Sequence, residues 1–116
     1  MDFDLLFTEE YMAWFVALTD VEKEEIRVVL ELLQQLGHDL TRKRQYVGSI
    51  KDSKYNNMKE LIVQIHGDPF RIFFAFDPKR NCIVLCGGCK TGKNQKRWYK
   101  KMIKLADELY SEYLEQ

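Results

Sequence analysis

A glycine-rich, basic segment stands where a predicted strand gives way to a predicted helix. Residues 87–94 read G-G-C-K-T-G-K-N. Gly87, Gly92 and Lys93 fit the phosphate-binding pattern G-x-x-x-x-G-K-[ST], but Asn94 occupies the place of the hydroxyl that binds Mg²⁺. Because no parallel βαβ framework surrounds the segment, it does not indicate a nucleotide hydrolase. A glycine-rich basic loop before a helix N-terminus still favours the binding of a phosphate group.

Arg71 is the candidate on which a catalytic hypothesis depends. It interrupts an apolar predicted strand, and arginine is uncommon in a central strand unless its head reaches a partner or a cleft. Two interpretations remain open, an ion pair with Glu60 on the neighbouring strand and a guanidinium that binds a substrate phosphate. Clustered bases bind a phosphate backbone and stabilise a phosphoryl transition state. The bases expected to converge with Arg71 are Lys59, Lys90, Lys93 and Arg97.

Tyr55 lies in a polar loop between basic residues. An aromatic ring among bases suits stacking on single-stranded RNA, and packing within the loop is an equal alternative. The residues predicted to bind RNA are Lys54, Tyr55, Lys96 and Arg97.

The cysteines and histidines do not form a recognisable metal site. Cys86 and Cys89 supply the single C-x2-C spacing, and four converging ligands are not evident when Cys82, His38 and His66 are added. Small buried thiols are the preferred interpretation, and no metal or cofactor is predicted. An odd number of cysteines argues against a disulfide framework, so we expect a reducing, cytoplasmic environment.

The net charge of zero conceals a strong polarity along the chain. Residues 1–41 carry ten acids against Lys23 and Arg27, whereas residues 78–106 carry nine bases and no acid. The basic part is expected to attract polyanions.

A length of 116 residues with 46% hydrophobic and 31% charged residues predicts one globular domain, residues 1–116. Residues 11–18 form the longest uncharged apolar stretch, which is too short to cross a bilayer, and no export signal is seen.

Hydrophobic periodicity predicts the elements that position these residues. Residues 3–7 favour a strand. The next residue, Thr8, is a typical N-cap of a first helix. Thr19 with Glu22 forms a capping box that begins a second helix, which ends at Gly37. Residues 38–57 are read as a loop with at most a short strand around Tyr46. Residues 58–65, 70–76 and 82–86 predict three antiparallel strands, with Gly87 and Gly88 ending the last, followed by a helix over about 94–115. The bases of that helix lie in its N-terminal half and the acids lie toward its C-terminal end, which is the unfavourable arrangement for the helix dipole.

Four segments resemble the RelE/ParE toxin superfamily, most of all its phage-derived HigB-like branch. They read S-K-Y-N-N-M-K-E-L at 53–61, F-R-I-F-F-A-F-D-P-K-R at 70–80, L-C-G-G-C-K-T-G at 85–92 and A-D-E-L-Y at 106–110. The predicted order β-α-α-β-β-β-α is also that of the superfamily. The resemblance implies an α+β, RelE-like domain, in which an N-terminal helical hairpin and a C-terminal helix pack on a small, mainly antiparallel sheet.

The resemblance also implies a function, that of a type II toxin–antitoxin toxin. Such a toxin inhibits translation by cutting mRNA in the ribosomal A site without a metal ion: the 2′-hydroxyl attacks the adjacent phosphate and leaves a cyclic phosphate and a free 5′-hydroxyl. The implied partners are a HigA-like helix-turn-helix antitoxin, the ribosome and mRNA. Carried onto this chain, Arg71 would clamp the scissile phosphate, Lys59, Lys90 and Lys93 would surround it, and Tyr99 would stack, donate a proton or belong to the core.

Three positions depart from the family pattern. Ile62 stands where an arginine often follows K-E-L, Cys89 replaces an acid, and no histidine follows His66. The identity of the general acid and base is therefore left open. Three alternatives also remain open, namely a ParE-like toxin that inhibits gyrase, a non-catalytic module that binds RNA or the ribosome, and a purely structural phage protein.

Overall fold

Residues 3–92 and 94–116 are described by the structure, a computed structural model. The strands are β1 (Asp4–Phe7), β2 (Val47–Ser49), β3 (Met58–Ile65), β4 (Asp68–Phe76) and β5 (Asn81–Cys89). The helices are α1 (Glu9–Val16), α2 (Asp20–Leu36) and α3 (Gln95–Leu114), with a 3-10 helix over Gly37–Arg42. The strands form one sheet in the order β1-β5-β4-β3-β2, in which only β1 and β5 pair in parallel. The predicted α+β fold is confirmed, with β2 as a short additional strand at the edge.

The predicted caps of the N-terminal hairpin are confirmed. The Thr8 hydroxyl oxygen accepts a hydrogen bond from the backbone N–H of Tyr11 at 3.0 Å. Thr19 and Glu22 form a reciprocal capping box with distances of 2.9 and 3.2 Å. Gly37 ends α2 with a φ of +54°, and a Cβ atom there would lie 1.8 Å from the ring of Phe3. A side chain at this position would therefore collide with the core as well as strain the backbone.

The turn between β3 and β4 fixes which side chains share a face of the sheet. His66 and Gly67 have positive φ values of 51° and 83°, as a two-residue type I′ hairpin turn requires. The resulting register pairs Glu60 with Phe73 and Ile62 with Arg71. Glu60 and Arg71 are therefore diagonal neighbours on one face.

Each face of the sheet is covered by helix. Leu61, Ile72 and Phe74 belong to the core beneath α1 and α2, whereas Met58 and Phe73 belong to the core beneath α3. Burial on both faces explains why the middle strands are apolar almost without alternation. None of the helices among residues 3–92 and 94–116 has the length and apolarity needed to cross a membrane.

The prediction that Gly87 and Gly88 end the third long strand is wrong, because β5 continues through both to Cys89. The physical reason is a close approach of two indole rings. A Cβ atom at Gly87 would lie 2.5 Å from the ring of Trp14, and one at Gly88 would lie 3.1 Å from the ring of Trp98. The glycines therefore allow a tryptophan from each helical layer to pack directly on the strand backbone.

Candidate functional site

Arg71 and Glu60 form a buried ion pair beneath α3. The Arg71 Nε lies 3.5 Å from the Glu60 Oε1, and the two side chains are 10% and 12% exposed. The Tyr99 hydroxyl donates a hydrogen bond to the same oxygen at 2.8 Å, and the Arg71 Nη1 donates to the carbonyl of Phe70 at 2.8 Å. The ion-pair interpretation of Arg71 is therefore the one that the structure shows. Glu60 also fixes the guanidinium and the phenol beside each other.

The phenol of Tyr99 is held in its protonated form. Burial, followed by the hydrogen bond to Glu60, raises the pKa of Tyr99 to about 12, although nearby Arg71 opposes the shift. At neutral pH the hydroxyl is therefore a hydrogen-bond donor. The hydroxyl donates its hydrogen bond to the Glu60 carboxylate, so it can donate to a substrate only by exchanging this acceptor for another.

Lys90 reaches this cluster because of a β-bulge. Phe73 pairs with Cys86 but Phe74 pairs with Val84, so Leu85 is an extra residue in β5. One extra residue reverses the face of every side chain that follows it. The bulge thus directs Lys90 to the α3 face, where its Nζ lies 5.2 Å from the ring centre of Tyr99. The Thr8 hydroxyl donates to the Leu85 carbonyl and satisfies the bulged residue.

A groove of about 900 Å³ opens between α3 and the segment that runs from β2 towards β3. Glu60 and Tyr99 line it beside Ile50 and Ile103. Its basic lining residues are five exposed lysines, Lys51, Lys54, Lys96, Lys100 and Lys104. None of the ion pairs found among residues 3–92 and 94–116 involves these lysines. The groove therefore offers exposed cations next to a buried, hydrogen-bonded network.

Asp107 closes one end of the groove. One carboxylate oxygen accepts a hydrogen bond from the Ser53 hydroxyl at 2.5 Å, and the other accepts from the Lys54 backbone N–H at 3.1 Å. Tyr55 packs in the same place, with its hydroxyl 2.5 Å from the Ser111 hydroxyl and its ring edge-to-face on a tyrosine of α3, Tyr110. Of the two interpretations of Tyr55, the structure shows loop packing.

Two predicted site residues lie away from this cluster, and a third is not described. Lys59 pairs with Phe74, whose side chain packs beneath the hairpin. Strand alternation therefore directs Lys59 away from Arg71, and its Nζ lies 3.5 Å from the Ser49 hydroxyl. Arg97 is exposed in the first turn of α3 but does not line the groove. Lys93 lies outside the described residues.

The cysteines pack as apolar residues. Cys82 belongs to the core beneath the hairpin and Cys86 to the core beneath α3. Burial raises the pKa of both thiols, to about 12 for Cys86. Within the described part of the chain, no three His, Cys, Asp or Glu side chains form a group that would hold a metal ion.

Sequence reasoning missed three basic lining residues, Lys51, Lys100 and Lys104, and it offered Glu60 only as the ion-pair partner of Arg71. A signal for two of them was present. Lys96, Lys100 and Lys104 are spaced by four residues, which places them on one face of a helix. Nothing in the sequence marked Lys51, because the loop that carries it meets α3 only in the folded chain.

Comparisons with known proteins agree with this fold. Residues 13–111 match the family described as "Phage derived protein Gp49-like (DUF891)". The chain is 41% identical over 101 residues to "Putative toxin HigB3" of Mycobacterium tuberculosis, which covers 87% of this chain and 84% of that protein. It is 37% identical over 109 residues to "Putative toxin HigB2" of the same organism, covering 93% of this chain but only 53% of that longer protein.

A solved structure shares the architecture. The toxin RelE of E. coli, in a mutant with two arginines replaced by alanine and in the free state, matches with a TM-score of 0.59 at 12% identity. The match covers 89% of this chain and 99% of that one, and at this identity it shows the fold alone. The family match and the two similar toxins carry the assignment further. The chain therefore belongs to the phage-derived Gp49-like family and is a HigB-type toxin with the RelE fold.

Proposed function

We propose that the protein is a ribosome-dependent mRNA endoribonuclease that inhibits translation in the cytoplasm. Its expected partners are the ribosome, mRNA and a HigA-like helix-turn-helix antitoxin. The observation that carries the proposal is the cluster of Arg71, Glu60, Tyr99 and Lys90, of which Glu60 and Tyr99 line a groove together with five exposed lysines. Buried polar groups beside a cationic cleft are an arrangement suited to a phosphodiester.

The reaction proposed for this site is an internal phosphoryl transfer that needs no metal ion. The 2′-oxygen forms a bond to phosphorus, the bond from phosphorus to the 5′-oxygen breaks, and the products are a cyclic phosphate and a 5′-hydroxyl. The 2′-hydroxyl loses one proton and the 5′-oxygen gains one. Negative charge grows on the phosphoryl oxygens in the transition state, which is the charge that Arg71 and Lys90 would stabilise.

The network gives each proton a partner. Glu60 is a carboxylate that lines the groove and accepts hydrogen bonds, so it is the proton acceptor that the geometry offers. Tyr99, whose pKa of about 12 keeps it protonated, is the donor. Glu60 also holds the Arg71 guanidinium in one orientation, so the cation is positioned before substrate arrives.

Induction of the protein in growing cells, followed by primer extension on a reporter transcript, tests the proposal. Codon-phased cuts that require translation are expected, and co-expression of the adjacent reading frame should abolish them. Tyr99→Phe keeps the ring and should slow cutting about 10²- to 10⁴-fold if the phenol donates a proton. The control is Lys101→Gln, an exposed helix position outside the groove, which should cut normally.

Two results would replace the proposal with one of its alternatives. DNA damage with intact messages would indicate a gyrase-directed toxin. Ribosome association without cuts in either translated or untranslated messages would indicate a non-catalytic binding module.

A further inference from the structure

We infer that α3 binds three successive phosphates of single-stranded RNA through Lys96, Lys100 and Lys104, as a substrate track that passes the Arg71 cluster at Tyr99, between Lys96 and Lys100. This inference rests on the proposed function and adds to it the path of the substrate strand. It gives roles to two lysines, Lys100 and Lys104, that the sequence did not single out.

The spacing of the three lysines carries the inference. Residues four apart on an α-helix advance by about 6 Å along its axis and lie nearly one above the other. This step is comparable with the distance between neighbouring phosphates of an extended strand. All three side chains are exposed and line the groove, whereas neighbouring Lys101 is exposed outside it. A row of cations at this spacing can neutralise one phosphate each.

The acids of the groove leave this row of cations in excess. Glu60 is paired with Arg71 and bonded to Tyr99. Asp107 accepts hydrogen bonds from Ser53 and the Lys54 backbone. Asp107 keeps its charge because both donors are neutral, and the three lining acids without a cationic partner among the described residues, Asp52, Asp107 and Glu108, are outnumbered by five lysines.

The walls of the groove select a single strand and limit its length. Segment 49–54 stands opposite α3 across a groove of about 900 Å³, so we expect a single strand rather than a duplex to occupy it. Asp107 ties that segment to α3 one turn beyond Lys104 and places a carboxylate in the path. The track therefore ends there, after the third lysine.

Binding of a single-stranded oligonucleotide tests the track. The probe is a fluorescent RNA of about twelve nucleotides with 2′-O-methyl riboses, which the proposed reaction cannot cut, and the readout is anisotropy between 0.05 and 0.3 M salt. Each phosphate contact on a single strand contributes about 0.7 to the slope of log K against log[salt]. Lys100→Gln should lower the slope by about 0.7 and the affinity about 5-fold at 0.1 M salt. The triple variant at 96, 100 and 104 should lower them by about 2 and about 100-fold.

Lys101→Gln is the matched control, because it removes the same charge from the next helix position. It should change the affinity less than twofold. Equal losses for Lys100→Gln and Lys101→Gln would mean that a diffuse field attracts RNA and that no track exists. Binding of a duplex as tightly as the single strand, or no binding by the wild-type protein, would also overturn the inference.

Failure of this inference and failure of the proposed function give different results. If the wild-type protein binds the probe as expected but cuts no message in cells, the nuclease proposal is wrong and the track remains. If the wild-type protein cuts and the triple variant binds and cuts like it, the track is wrong and the nuclease remains. Thermal unfolding of each variant confirms that lost binding is not lost folding.

Discussion

Removal of one partner of the Arg71–Glu60 pair is expected to destabilise the fold severely. The charged atoms lie 3.5 Å apart, and the side chains are 10% and 12% exposed. At an effective dielectric constant of about 20, this separation corresponds to an attraction of about 5 kcal/mol, which the cost of desolvation largely offsets. Arg71→Met leaves Glu60 buried without its counter-charge. We expect a loss of about 3–5 kcal/mol in the free energy of unfolding.

Such a loss is large for a chain of this size. A domain of 116 residues has a stability of roughly 6–17 kcal/mol. A single substitution at Arg71 can therefore abolish toxicity by lowering the folded fraction in the cell. The double variant Glu60→Gln, Arg71→Met removes both charges of the pair, so neither position is left with an unpaired buried charge. Its stability should lie close to that of the wild type.

Urea unfolding of the four proteins of this cycle measures the coupling. The fluorescence of Trp14 and Trp98 reports on the sheet, because both rings pack on β5. We expect a coupling energy above about 3 kcal/mol between Glu60 and Arg71, whereas exposed pairs give less than about 1 kcal/mol. A value in that lower range would refute the view that the pair is buried and mutually dependent. A folded double variant that no longer cuts mRNA would then show that the pair also acts in the reaction, because this variant removes the proposed proton acceptor together with the guanidinium.

Three further predictions concern Tyr99, Gly87 and Asp107. The pKa of the Tyr99 phenol is raised from 10.0 to about 12, so the unfolded chain loses this proton at a lower pH than the folded chain. The stabilisation is therefore complete below pH 10 and declines as the pH rises to about 12. Urea unfolding of Tyr99→Phe should show a smaller decline in the free energy of unfolding over that interval. Gly87→Ala would place a Cβ atom 2.5 Å from the ring of Trp14, so it should cost about 1–3 kcal/mol and change the tryptophan fluorescence. Asp107→Asn weakens a charge-assisted hydrogen bond to Ser53. Amide hydrogen exchange in segment 50–57 should therefore accelerate about 10-fold. An unchanged exchange rate would show that other contacts hold this loop.

The parts of the fold that the sequence predicted are those that depend on neighbouring residues. Thr8, Thr19 and Glu22 cap helices through bonds that span three residues, so their spacing is visible in the chain. The strand Met58–Ile65 was predicted with the bounds that it has, because its apolar residues alternate and turn residues flank it. The capping and alternation rules operate over the same short distances as the sequence patterns.

The parts that were missed depend on contacts between distant residues. Whether Lys90 faces α3 or the hairpin is decided by the bulge at Leu85, whose carbonyl is satisfied by Thr8 from the opposite end of the chain. Gly87 and Gly88 resembled the end of a strand because the two tryptophans that cover them lie elsewhere in the sequence. Likewise, the sequence predicted that Lys59 and Arg71 lie in one site, because the charges of the residues were known but the face of the sheet on which each side chain lies was not.

The charge order of α3 is explained by the groove rather than by the stability of the helix. Bases near the N-terminus and acids near the C-terminus each cost a few tenths of a kcal/mol through the helix dipole, and neither end of α3 carries compensating charges. Lys96 lies in the unfavourable first turn, yet it begins the row that continues through Lys100 and Lys104 along the groove. Asp107, the first acid after that row, holds the opposite wall. This charge order lowers the stability of the helix. It also places cations along the groove where a phosphate chain would bind and an anion where the groove ends, as a strand-binding surface requires.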